Sequence, residues 1–120
     1  MKNTPKVFES EYRMCCILWE NEPLSSTELA RLCKERLDWS RTTTYTVIKR
    51  LSDRGVLQNV NSTVTSLISK DEVQVAELDE LFEKRFEGSL PAFIAAFAKQ
   101  QKLSEKDIED IRKIIERGGE

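Results

Sequence analysis

Fifteen consecutive residues, Gly55 to Ser69, carry no charge in a chain where 33% of all residues are Asp, Glu, Lys or Arg. Within that stretch, Val56-Leu57-Gln58-Asn59-Val60 and Val64-Thr65-Ser66-Leu67-Ile68 are rich in β-branched residues and flank the turn-forming Asn61-Ser62-Thr63, a pattern that predicts a β-hairpin. Gly55 opens it, in the position after a helix that favours left-handed backbone. The fold class then depends on what precedes the hairpin.

Three amphipathic helices precede it. From Phe8 to Trp19 the apolar residues Phe8, Tyr12, Cys15, Cys16 and Trp19 recur at helical spacing, with Glu9, Glu11, Arg13 and Glu20 expected on the solvent side. Asn21-Glu22-Pro23 breaks that pattern. Ser25 then reads as an N-cap with Glu28 as its capping-box partner and Leu24 stapled on Leu29, opening a second helix to about Leu37 with Leu29, Leu32, Cys33 and Leu37 inward. Trp39-Ser40 caps a third, from Arg41 to about Arg54. Helix, helix, helix, hairpin is the winged helix-turn-helix order, in which the third helix is the reader of DNA.

The wheel of that third helix fits the role. Thr44, Val47, Ile48 and Leu51 fall on one side, leaving Thr42, Tyr45, Thr46, Lys49 and Asp53 opposite, flanked by Thr43 and Arg50, with Arg41 at its start. Four Thr between Thr42 and Thr46 oppose helix propensity, so something other than helix stability favours them. Thr hydroxyls and methyls suit phosphates, base edges and thymine methyls, and Lys and Arg neutralise phosphates or read guanine. The candidate DNA-binding residues are therefore Arg41, Thr42, Thr43, Tyr45, Thr46, Lys49 and Arg50.

The second half differs in charge and in kind. Residues 1–70 hold 11 Lys and Arg against 8 Asp and Glu, while residues 71–120 hold 8 against 13. Ser69 to Glu72 is a capping box opening a helix with Leu78, Leu81, Phe82, Arg85 and Phe86 along one stripe. Ser89 caps a short helix bearing Leu90, Phe93, Ile94 and Phe97, and Ser104 caps a last one bearing Ile108, Ile111, Ile114 and Ile115. Three short helices offer a large apolar face and little core to bury it in. A second copy of the chain is the economical cover, the alternative being that they fold back on the amino-terminal half. The division expected is 1–70, a winged-helix DNA-binding domain, and 71–120, a helical dimerisation region using Leu78, Leu81, Phe82, Phe86, Phe93, Phe97, Ile108, Ile111 and Ile115.

Enzymatic chemistry finds no support. The chain has no His, no glycine-rich phosphate loop and only scattered carboxylates, so no nucleophile, base and orienter assemble, and no small-molecule substrate is expected. Three Cys with no CxxC spacing make neither a disulfide framework nor a zinc site, so no metal and no cofactor is expected. Cys15, Cys16 and Cys33 read as small core hydrophobes, with thiol sensing as the rival. A protein-interaction module is the other alternative to DNA binding. No apolar stretch approaches the roughly 20 residues of a membrane span and no signal-peptide core opens the chain, so a cytoplasmic location is expected.

From about Val7 to Arg117 the chain resembles the penicillinase-repressor family of BlaI/MecI type. The resemblance rests on Glu9-Ser10-Glu11-Tyr12 with Ile17-Leu18-Trp19, Leu24-Ser25 to Glu28-Leu29, Thr43 and Thr46 with Ile48 and Arg50-Leu51, Gly88-Ser89-Leu90, Phe97-Ala98-Lys99, and Leu103-Ser104 to Glu109 with Ile111 to Ile115. It implies a homodimeric winged-helix repressor on an inverted-repeat operator of double-stranded DNA, released when a membrane metallopeptidase sensor triggers its cleavage. Carried over by position, Thr43, Thr46 and Arg50 would read DNA, and Tyr45 stands where members are often basic. The cleavage position of the archetypes, Asn followed by Phe, reads Ala96-Phe97 here. The resemblance also implies basic wing residues, which Gly55 to Ser69 lack, and a Ser cap where Phe8 stands.

Overall fold

Serine hydroxyls set five of the helix starts. In the computed structural model, which describes residues 4–118, the Oγ atoms of Ser25, Ser40, Ser69, Ser89 and Ser104 accept hydrogen bonds from the amides of Glu28, Thr43, Glu72, Ala92 and Asp107, all at 3.0–3.1 Å. Each satisfies one of the amides that a helix amino terminus leaves without a partner. The helices that follow are α2 (Ser26–Leu37), α3 (Arg41–Asp53), α4 (Lys70–Arg85), α5 (Leu90–Lys99) and α6 (Glu105–Glu116). At Ser69 and Ser104 the box is reciprocal, because Glu72 and Asp107 accept from the serine amides. The first helix, α1 (Glu9–Asn21), starts instead at Phe8, whose amide donates to the Glu11 carboxylate at 2.9 Å.

The hairpin comprises β2 (Leu57–Val60) and β3 (Thr63–Ser66), antiparallel with Val60 opposite Thr63. Asn61 and Ser62 both have positive φ, as the tightest two-residue hairpin turn requires, so Thr63 belongs to the strand and not to the turn. A two-residue strand, β1 (Leu24–Ser25), pairs with the other edge of β3 and gives the sheet order β1-β3-β2. Two residues carry no alternation, so nothing in the local sequence announces it. The chain is thus mainly α-helical with a small antiparallel sheet, a winged helix-turn-helix followed by further helices.

Residues 1–77 and 78–120 form two compact units. In the first, Met14, Leu18, Leu29, Leu51, Leu57 and Val64 are almost fully enclosed, with Val47 and Ile48 of α3 and Val73 of α4 closing the same core. Ridges from three helices and the inner face of the sheet meet there, which is what holds α3 in place. Gly55, at φ +82°, lets the chain leave α3 and enter the sheet at once.

The buried face of α1 is rotated from the one expected. Phe8 is 53% exposed, Tyr12, Cys16 and Trp19 are half-buried, and the helix buries Glu11, Met14, Cys15, Ile17 and Leu18. Tyr12 and Trp19 sit at the margin because their polar tips need partners. The Tyr12 hydroxyl accepts from Gln74 Nε2 at 3.3 Å, and Trp19 Nε1 donates to the Ile68 carbonyl at 3.0 Å.

In the second unit the rings of Phe82, Phe86, Phe93 and Phe97 stack in sequence, with successive centroids 4.8–6.4 Å apart. Even so, no described residue after Val73 is buried. Leu78, Leu81, Leu90, Phe97, Ile108, Ile114 and Ile115 are all exposed. No helix among the described residues is long and apolar enough to cross a membrane.

Candidate nucleic-acid interface

α3 divides cleanly into two faces. Thr44, Val47, Ile48 and Leu51 are buried, as expected, and all seven candidate residues, Arg41, Thr42, Thr43, Tyr45, Thr46, Lys49 and Arg50, are exposed on the remaining arc. Burial of one face fixes the rotation of the helix about its axis, so the exposed set is presented in a single orientation. Left-handed backbone at Asp38 ends α2, and the short turn through Trp39 to Ser40 brings the start of α3 beside it.

Hydrogen bonds within the helix limit what each hydroxyl can offer. Thr46 Oγ1 donates to the Thr42 carbonyl at 2.9 Å, which leaves its lone pairs outward as an acceptor. Thr43 Oγ1 accepts from Ser40 Oγ at 2.9 Å and so keeps a proton to give. Lys49 lies 3.5 Å from Asp53 with both side chains largely in solvent, a pairing worth little that leaves the ammonium available to a stronger anion. The guanidinium of Arg41 lies over the ring of Tyr45, 5.9 Å from its centroid. A groove of about 470 Å³ between α2 and the start of α3 is lined by Thr27, Ala30, Arg31, Lys34, Ser40 and Arg41. Its cations are partly spoken for, since Arg31 pairs with Glu28 and Glu35 and Lys34 with Asp38.

Sequence reasoning missed two carboxylates, of which one reaches the end of α3 and the other the sheet. Glu11, expected in solvent, is buried and pairs with Arg54, the residue at the end of α3, whose other guanidinium nitrogen donates to the Lys6 carbonyl at 2.7 Å. Arg54 also lies over the exposed Phe8 ring at 5.3 Å. Glu22 accepts from the amide and hydroxyl of Ser66 and ties β3 to the end of α1. Both pairings join residues more than forty positions apart, and no local pattern announces them.

Burial alone would push the Glu11 carboxyl up. The hydrogen bonds from Arg54 and the Phe8 amide and the charges of Arg54 and Arg50 outweigh it and hold the group below the ordinary glutamate range. A carboxyl lowered in the folded state stabilises the fold at pH values above its unfolded range, and that contribution is lost as pH falls through the folded value. Glu11→Gln should therefore cost about 1.5–3 kcal/mol at pH 7, the worth of a hydrogen bond to a charged group. The gap between variant and parent should narrow as urea unfolding is repeated toward pH 3. A gap that stays constant across that range would remove the ionic character from the Glu11–Arg54 contact.

Cys15 and Cys33 are buried in the core. Burial pushes the Cys15 thiol up to about 12 and raises that of Cys33, so both stay protonated near neutrality, and the thiolate is the reactive species. Cys16 is half-buried and not inside the core as expected. Among the described residues no group of three or more His, Cys, Asp or Glu is placed to hold a metal ion.

The candidate cleavage position Ala96-Phe97 lies inside α5, with Ala96 half-buried and Phe97 exposed. The candidate dimerisation residues Leu78, Leu81, Phe97, Ile108 and Ile115 are exposed, whereas Phe82, Phe86, Phe93 and Ile111 are half-buried.

Known proteins resemble the chain along nearly its whole length. The methicillin resistance regulatory protein MecI of Staphylococcus aureus is 22% identical over 116 residues, covering 93% of this chain and 94% of that protein. The penicillinase repressor of Staphylococcus aureus is 24% identical over 110 residues, 88% of this chain and 87% of its own. That of Bacillus licheniformis is 20% identical over 120 residues, covering 97% and 94%. Among solved structures, the solution structure of the monomeric form of Bacillus licheniformis BlaI in complex with the blaP half-operator superposes with a TM-score of 0.52 at 21% identity. It covers 60% of this chain and 93% of that one, a likeness of fold. The sequence profile of the penicillinase repressor matches residues 8–117, and the chain belongs to the penicillinase repressor family.

Proposed function

We propose that the protein is a DNA-binding transcriptional repressor and not an enzyme, in which α3 enters the major groove and a homodimer engages the two halves of an inverted-repeat operator. The observation that carries this reading is the exposed arc of α3, which gathers Arg41, Lys49 and Arg50 with Thr42, Thr43 and Thr46 against a single acid, Asp53. Such a face neutralises phosphates with its cations and reads base edges with its hydroxyls. Family membership and the relatives' names as repressors support the same reading, as does the half-operator held by the BlaI neighbour. Footprinting on the promoter of the protein's own operon tests it. Two protected half-sites about one helical turn apart, or a multiple of it, are expected. Absence of protection at micromolar protein would overturn it.

In this reading residues 1–70 are the DNA-binding domain and residues 71–120 the dimerisation region. The exposed apolar side chains of α4, α5 and α6 support the second assignment, because a stripe of that extent gains by being covered. Release by proteolysis, downstream of a membrane metallopeptidase sensor, would follow from cutting near Ala96-Phe97. A protease needs extended backbone, so α5 must open first, and a ten-residue helix with Pro91 in its first turn has only packing to resist that. The cut detaches α6 with Ile108, Ile111 and Ile115, and half-sites that had been bound together are then bound independently. A chain ending at Ala96 should keep its winged helix, dimerise poorly and lose about 100-fold or more in affinity for a two-half-site operator. Equal binding by the shortened and intact chains would eliminate cleavage at this position as the switch.

A further inference from the structure

The chain has two tyrosines, and they live differently. Tyr12 packs edge-on against Trp19 at 5.7 Å, and its hydroxyl accepts from Gln74. Tyr45 is 37% exposed in the middle of the α3 arc, touches no other ring, and its hydroxyl bonds nothing among the described residues. Among the described residues its side chain's partner is Arg41, a turn earlier, whose guanidinium lies over the ring 5.9 Å from its centroid. An aromatic residue at a solvated helix position lowers helix propensity relative to Ala, Lys or Arg and here fills no part of the core, which α3 reaches through Thr44, Val47, Ile48 and Leu51. The ring therefore lies outside the core. What it offers outward is a flat apolar surface among hydroxyls and cations.

In the major groove one base feature is apolar, the C5-methyl group of thymine. We propose that Tyr45 is a specificity-determining residue whose ring packs on a thymine C5-methyl, with Arg41 as the positioning residue that holds the ring in the orientation needed. The proposal rests on α3 being the DNA-reading helix. Arg41 suits the second role because a planar guanidinium stacks on an aromatic face without giving up its donors, which stay available to a neighbouring phosphate or base. The wing points the same way. With no charge between Gly55 and Ser69, affinity and selectivity fall more heavily on α3.

The test replaces each thymine of one footprinted half-site by deoxyuridine, which removes the methyl and nothing else, and follows binding by fluorescence anisotropy. For the intact protein, one replacement should weaken binding about four-fold, the worth of one buried methyl group. Tyr45→Ala should bind more weakly and be indifferent to that same replacement. Tyr45→Phe should keep the sensitivity, and Arg41→Ala should reduce it while leaving Tyr45 in place. If the protein binds the duplex but no deoxyuridine matters, or if Tyr45→Ala keeps the intact protein's sensitivity, the assignment of Tyr45 is overturned while the repressor reading stands. No binding to any duplex would overturn the reading of α3 itself.

Discussion

Leu81→Glu should turn the proposed dimer into a monomer at micromolar concentration. Leu81 is 40% exposed in the second unit, on the same stripe as Leu78, and a symmetric interface uses it twice. Withdrawing the exposed 40% of a leucine from water gains about 0.6–1.2 kcal/mol, so replacing two removes roughly 1–2.5 kcal/mol, and burying two carboxylates in the interface costs several kcal/mol more. Dimerisation should therefore weaken by at least about 100-fold. Leu81 is a better probe than Phe86, whose ring packs on Phe82 and Phe93 and whose removal would disturb the unit itself. Sedimentation equilibrium reads the outcome. A parent protein that is monomeric at micromolar concentration, or a variant that dimerises as well as the parent, would refute the assignment of this stripe.

The second large effect is expected at Arg50. It is exposed at the flank of the α3 arc, beside the line of Thr42, Thr46 and Lys49. Arg50→Ala should weaken operator binding by about 1–3 kcal/mol per half-site and flatten the dependence of log affinity on log salt by roughly one unit for each phosphate that is no longer neutralised. Thr46→Ala should behave differently. Its hydroxyl proton is committed to the Thr42 carbonyl, so the substitution removes an acceptor at one base pair, and selectivity at that position relaxes while the salt slope holds. Binding measured at several salt concentrations on operator and scrambled duplexes separates the two. Identical behaviour of parent, Arg50→Ala and Thr46→Ala would show that α3 is not the reader.

Features of the fold that rest on neighbours in the chain are legible in the sequence. The caps at Ser25, Ser40, Ser69, Ser89 and Ser104 bond amides three residues on, and the buried side of α3 follows from helical spacing alone. Features that depend on distant partners are not. Glu11 reads as a solvent residue until Arg54 arrives from the end of α3, and Phe8, at the start of the same helix, lies outside and Met14 inside. β1 exists only because β3 pairs with it, and Glu22 finds its partner only when Ser66 is brought to it. The exposed arc of α3 is readable residue by residue, but not that the Thr46 proton is spent internally or that the Arg41 guanidinium lies over the Tyr45 ring. Those details narrow the proposed DNA-binding face to particular donors and acceptors.

Whether α3 reads DNA is decided by a salt titration of binding to the footprinted duplex. Affinity should fall log-linearly with salt, with a slope set by the cations of α3 and its surroundings and owing nothing to the uncharged wing, and Arg50→Ala should make that slope shallower. An affinity that does not change with salt, or a slope that Arg50→Ala leaves untouched, would contradict that role for α3.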